Sequence, residues 1–228
     1  MIRLLGAMRT GAQGSRDAGL SLIELLVGIA LTTVIMGLAF TLFSIGTHTV
    51  SLSQSIDGGT RQASNGMNQV ARMLRAATPD PKISPAVGTP VNDPAIISAA
   101  PQAIKFYAYV NLSGGEAPVM VQYQVLGGVL KEFQYAATTT TPGANGHWDF
   151  VNTPTTTRAL CNSIPSTTTV FKYFNKVGTE LLPASLTDPT SLGAVTSVQV
   201  TITIQATGAA SAVTLTNTIG MANIGSGS

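Results

Sequence analysis

The sequence predicts an α+β chain. One long N-terminal helix, membrane-spanning in its first half, packs through its second half on a small antiparallel β-sheet. Three observations carry the prediction. From Leu25 to Ile45 there are 21 consecutive residues without a charge, which as a helix at ~1.5 Å per residue reach ~32 Å, the thickness of a hydrocarbon core. Next, Leu52, Ile56, Gly59, Ala63, Met67, Val70 and Leu74 recur at spacings of three and four, one face of a helix. Last, the C-terminal part holds strand-like segments in series with no helical pattern between them, the order of an antiparallel sheet rather than of βαβ units.

Composition agrees with a chain destined for export. Of 228 residues 44% are hydrophobic and only 10% charged, against about 25% charged in ordinary soluble domains, and the mean hydropathy is +0.30. One cysteine excludes an intramolecular disulfide framework and a cysteine-built zinc site. The net charge of +2 resides in the first nineteen residues, where Arg3, Arg9 and Arg16 face only Asp17; twelve basic and ten acidic residues become nine and nine without that segment. A neutral remainder lacks the concentrated positive field that phosphate binding needs, so nucleic acid is not expected as a partner.

The three arginines precede the apolar run, and no positive residue follows it until Arg61. By the positive-inside rule the N-terminus is cytoplasmic and the C-terminal bulk extracytoplasmic. An ordinary secretory signal would have an apolar region of roughly 7 to 15 residues ending at an Ala-x-Ala-like site, which this stretch does not offer.

Glu24 stands at the mouth of the apolar run, where a carboxylate is expensive unless it snorkels or is paired. Its neighbours are Ala18-Gly19-Leu20-Ser21-Leu22-Ile23-Glu24-Leu25-Leu26-Val27, after a short basic leader. This segment resembles the type IV pilin and type II secretion pseudopilin family, whose precursors carry a Gly, a hydrophobic residue, a small-hydrophobic-hydrophobic triplet and a Glu, then an apolar helix. The resemblance implies cleavage after Gly19 by a membrane prepilin peptidase, N-methylation of the new amino terminus at Leu20, and retention of the helix on the mature protein. It covers about the first 60 residues. The first mature residue is Leu rather than the commoner Phe, and the apolar stretch has no helix-bending proline; both departures point away from the major pilins.

Electrostatics gives Glu24 a role in that frame. A helix freed at Leu20 begins with a positive amine at the positive end of its dipole, and Glu24 of a neighbouring subunit can pair with it. At ~4 Å and an effective dielectric of ~20 the pair is worth at most ~4 kcal/mol before desolvation. One charge pair thus sets helix register, while Gly28 and Gly37 allow close approach.

The expected organisation is a leader at residues 1–19, the transmembrane half of the helix at 20–45, its amphipathic half at 46–78 and an extracytoplasmic antiparallel β domain at 79–228. Thr78 before Pro79 ends the helix near Ala77. Gly58-Gly59 and Gly66 weaken it by ~1 kcal/mol each, with a kink expected at Gly58-Gly59. Six prolines from Pro79 to Pro101 read as a connecting loop. Ile104 to Val110 and Val119 to Val125 alternate as strands, and Gly127-Gly128 turns the chain into Val129 to Tyr135 as a hairpin. Ala136 to Ser166, rich in Thr and Pro, reads as an excursion loop, and Val170 to Asn175 as a short strand. Val195 to Gln205, with Val198, Val200, Ile202 and Ile204 on one face, pairs with Ala212 to Ala222 through a turn at Thr207-Gly208-Ala209. This layout, closing on Met221-Ala222-Asn223, is similar to the minor J/W-class pilins.

Enzyme chemistry finds little support. His147-Trp148-Asp149 is a generic loop pair without a visible third metal ligand, Cys161 has no catalytic neighbours and reads as a buried or incidental thiol, and no nucleotide-binding glycine loop follows a strand. No catalytic residue, metal or cofactor is therefore expected. Asn111-Leu112-Ser113 fits a glycosylation sequon. The expected function is structural: a minor prepilin of a type IV pilus, competence or type II secretion filament, whose partners are the prepilin peptidase, other pilin or pseudopilin subunits, the inner-membrane assembly platform and membrane lipid. The alternative is an uncleaved, single-pass anchored extracellular binding domain.

Overall fold

Helix α1 runs from Leu22 to Arg75, 54 residues, in a computed structural model that describes residues 21–83, 90–110, 117–143, 146–205, 212–222 and 224. The chain divides into two units, Met1–Thr49 and Val50–Ser228. The helical assignment continues without interruption through Gly58 and Gly59. In the second unit the expected stripe is the buried one: Ala63, Met67, Val70 and Leu74 have lost almost all contact with solvent, joined by Gly66, Ala71 and Met73. Arg72 and Arg75 close the last turn, where cations complement the helix dipole.

The stripe packs on strands of two antiparallel sheets. One has five strands in the order β3 (Ile96–Ala100), β4 (Ala103–Ala108), β5 (Val119–Leu126), β6 (Val129–Ala136) and β7 (Thr156–Cys161). The other has four, β11 (Val213–Gly220), β10 (Ser197–Ile204), β8 (Phe171–Phe174) and β9 (Glu180–Leu181). A separate pair, β1 (Asp80–Ile83) and β2 (Pro90–Asp93), forms a two-stranded sheet. The expected single sheet is thus two main sheets sharing one core, into which Phe106, Val121, Tyr123, Leu130, Phe171, Tyr173, Val200 and Ile202 all point.

Two positions show how closely α1 approaches. A Cβ on Gly66 would lie 3.4 Å from Cβ of Leu160 on β7, and one on Gly59 would lie 3.2 Å from Cγ2 of Ile204 on β10. The glycines that weaken the helix locally therefore let it sit against both sheets.

The Gly127-Gly128 hairpin forms as expected, both glycines having positive φ (59° and 75°), with Leu126 opposite Val129. Val198, Val200, Ile202 and Ile204 are all buried, while the outer face of the β10–β11 pair carries Thr201 against Thr216 and Thr203 against Thr214, hydroxyls 3.3 and 3.1 Å apart. The turn expected at 207–209 lies outside the described residues, as do the sequon at 111–113 and Asn223.

Three further expectations are corrected. The proline-rich connector contains β1, β2 and β3 rather than only loop. Pro81 and Pro90 fall in a two-stranded sheet, where each strand has a side without ladder partners and a missing N–H is tolerated. Within the supposed excursion loop, Thr156–Cys161 adds β7 to the edge of β6; its threonines favour a pleated strand once a partner edge is offered. Finally, Pro183–Ser185 forms a 3₁₀ turn and Pro189–Gly193 a short helix, α2. Asp188 caps α2 by accepting from the N–H groups of Ser191 and Thr190, which holds its carboxyl below the usual carboxylate range.

The two main sheets are tied by Tyr173 of β8. Its hydroxyl sits 2.9 Å from the carbonyl of Ala100 and accepts from the N–H of the same residue at 3.1 Å, and burial raises its pKa. Gln102 extends the tie by donating to the carbonyls of Ser166 and Thr168.

Candidate functional site

The first turn of α1 begins at Ser21. Its hydroxyl oxygen accepts from the N–H of Glu24 at 3.3 Å, and its carbonyl accepts from Glu24 and Leu25 at 3.0 and 3.1 Å. Ser21-Leu22-Ile23-Glu24 has the Ser-x-x-Glu spacing of a helix start, in which the serine satisfies an otherwise orphaned N–H. This capping role was available in the sequence but was masked by reading Ser21 only as the small residue of the motif. Glu24 lies exposed in the first turn, where the dipole favours a carboxylate. Gly19 and Leu20 lie outside the described residues.

From Leu22 onward the helix presents apolar side chains to its surroundings on every face. Leu22 is 81% exposed, Phe40 74% and Ile45 59%, and the large hydrophobics between them are likewise exposed. Soluble proteins rarely leave such an area uncovered. Its most apolar window has a mean hydropathy of 2.3, and the helix is long and apolar enough to cross a membrane. Three of the polar groups within it are satisfied on the helix itself. Thr32, Thr33 and Thr41 donate their hydroxyls to the carbonyls of Gly28, Ile29 and Gly37 at 2.7, 2.8 and 2.9 Å. Hydroxyls closed on their own helix cost little in a medium without water. A groove passes Gly28 and is lined by Glu24, Leu25, Ile29, Thr32 and Met36; nothing stands within 4 Å of a Cβ placed on Gly28. The arrangement can accept an apolar neighbour along its length and one cationic group at its start.

The second cluster of polar chemistry lies in the Val50–Ser228 unit, around His147. Asp149, its neighbour in sequence, is exposed. Instead Nδ1 of His147 lies 2.6 Å from Oδ2 of Asp80, and the ligand atoms of Asp80, Asp93 and His147 all lie within 4.8 Å of one another. Asp80 is fully buried and stands directly opposite Asp93 in the β1–β2 ladder. Tyr107, stacked on Phe150 with ring centroids 5.3 Å apart, feels both carboxylates: burial first, then the charges of Asp80 and Asp93, pushes its phenol up to about 12. The sequence concealed this grouping because both aspartates sit in the stretch read as connector. Cys161 is buried, and burial pushes its thiol up to about 11, against a nucleophilic role.

Residues 14–46 match the family model described as the prokaryotic N-terminal methylation motif. No curated protein matches the chain.

Proposed function

Because residues 14–46 carry the type IV pilin and pseudopilin signature, we propose that the chain is a minor prepilin that enters a type IV pilus, competence or type II secretion filament through its N-terminal helix. The signature is that of structural subunits and not of an enzyme class, and it implies dealings with a prepilin peptidase and other pilin subunits in general. The observation that carries the reading is the coincidence, within one helix, of an uncovered membrane-length apolar surface and a single carboxylate, Glu24, in the first turn. Lipid covers that surface before assembly and neighbouring subunits cover it afterwards. Cleavage after Gly19 then places a methylated amine at Leu20, and Glu24 of an adjacent subunit pairs with that amine to set register. The leader remains cytoplasmic, and the residues after the span are extracytoplasmic. The assembly platform in the inner membrane extracts the helix from lipid.

Intact-mass analysis of the protein from membrane extracts tests the reading. The expected mass lacks residues 1–19 and includes one added methyl group. A chain beginning at Met1, or one cut after Ile45, overturns it.

A further inference from the structure

We infer that Asp80, Asp93 and His147 form a binding site for one divalent transition-metal ion of the zinc type. The three ligands come from β1, from β2 and from the segment between β6 and β7, and their ligand atoms lie within 4.8 Å of one another. A zinc ion bound at ~2.0 to 2.2 Å by nitrogen and oxygen holds its ligands roughly 3.4 Å apart in a tetrahedron, so small side-chain adjustments bring the three atoms onto it.

Two of the three donors are carboxylates, which suit a cation. Asp80 is 1% exposed, and a carboxylate taken out of water must be compensated. Its partner across the ladder is a second aspartate, Asp93, and like charges directly opposite weaken a strand pair. A divalent ion matches two carboxylate donors and takes the imidazole nitrogen as a third ligand. On binding, Nδ1 and Oδ2, now 2.6 Å apart, both turn to the metal.

The donor set selects the class of ion. Calcium takes six to eight oxygen ligands, whereas an imidazole with two carboxylates suits zinc and its neighbours, with three protein ligands and a fourth position for water. The His147 side chain is 25% exposed and provides entry. An adjoining cavity of about 200 Å³, lined in part by Asp93, Tyr107, Ile96 and Leu192, has room for the water. The ion would staple the β1–β2 pair to the segment carrying His147.

The test uses the full chain in detergent micelles, stripped with a chelator and titrated with zinc chloride. Trp148, the single tryptophan, is buried beside His147 and reports locally, while calorimetry counts ions. One zinc per chain, a changed Trp148 emission and a raised Tm are expected. Asp93→Asn and His147→Ala, both at partly exposed positions, should each weaken zinc binding at least about tenfold with unchanged circular dichroism. Absence of saturable zinc binding, binding that survives both substitutions at full affinity, or calcium binding in preference to zinc overturns the assignment. If both variants fail to fold, the unsubstituted chain decides: a Trp148 response saturating at one zinc supports the site, and a silent Trp148 overturns it.

Discussion

The side-chain amide of Gln69 on α1 donates to the carboxylate of Glu132 on β6 at 2.9 Å, joining positions 63 residues apart. Glu132 is 1% exposed, and it also accepts from the Tyr123 hydroxyl at 2.8 Å, the Gln134 amide at 2.6 Å and the Arg158 guanidinium at 3.2 Å. A buried carboxylate with four donors is a satisfied network, and it pins the helix to the five-stranded sheet with a directionality that the apolar contacts lack. Burial, then the Glu132 charge, raises the pKa of Tyr123.

Removing that carboxylate leaves the Tyr123 hydroxyl and the Gln69 amide without their acceptor. Glu132→Ala should destabilise the fold by roughly 3 to 5 kcal/mol and Gln69→Ala by about 1 to 2 kcal/mol. Glu132→Gln should also destabilise, because its amide presents donors to donors. Urea unfolding followed by circular dichroism measures all three; a Glu132→Ala midpoint equal to the unsubstituted one contradicts the account.

The core shared by α1 and the sheets predicts where the chain can be cut. A fragment beginning at Val50 keeps the buried stripe and should be soluble, monomeric and cooperatively folded. A fragment beginning at Pro79 loses Ala63, Met67, Val70 and Leu74 from the core and should aggregate, since each apolar side chain returned to water costs roughly 1.5 to 3 kcal/mol. Gel filtration and thermal melts distinguish the two. A cooperatively melting Pro79 fragment would show the helix to be an independent stalk.

Glu24→Ala should leave membrane insertion intact, because it removes a polar group from the start of an apolar span. It should impair filament incorporation several-fold, because the partner amine loses its counter-charge. Competition between substituted and unsubstituted chains in assembling cells provides the measurement, and equal incorporation removes the register role of Glu24. Gly19→Ala should slow processing less than a bulky substitution there, since the peptidase seats the backbone closely.

Stability should fall in alkali. Cys161 is raised from 9.0 to about 11 and Tyr107 from 10.0 to about 12, both chiefly by burial. The folded chain keeps these protons at a pH where the unfolded chain has released them. The contribution is therefore complete below pH 9 and is lost as pH rises through 9 to 12, by at most about 3 kcal/mol for Cys161. Urea midpoints from pH 8 to 10.5 should decline, and Cys161→Ala should flatten the part between pH 9 and 10. A midpoint independent of pH over that range refutes the assignment.

The helix, its buried stripe and the Gly127-Gly128 hairpin were legible in the sequence because each is encoded by neighbours: a spacing of three and four, an alternation of two, a turn that needs positive φ. So was the prepilin-type segment, whose residues lie within one short window. The burial of Glu132, the addition of β7 to the edge of β6, and the meeting of Asp80, Asp93 and His147 were not legible. Each depends on partners far away in sequence, and a polar residue carries no local mark of the donor that will satisfy it. Prolines at 81 and 90 argued for a loop until the pairing of β1 with β2 left their missing N–H groups unneeded. Periodicity reports which face of an element will be apolar; which surfaces meet, and which charges are buried together, follows from the packing of the whole chain.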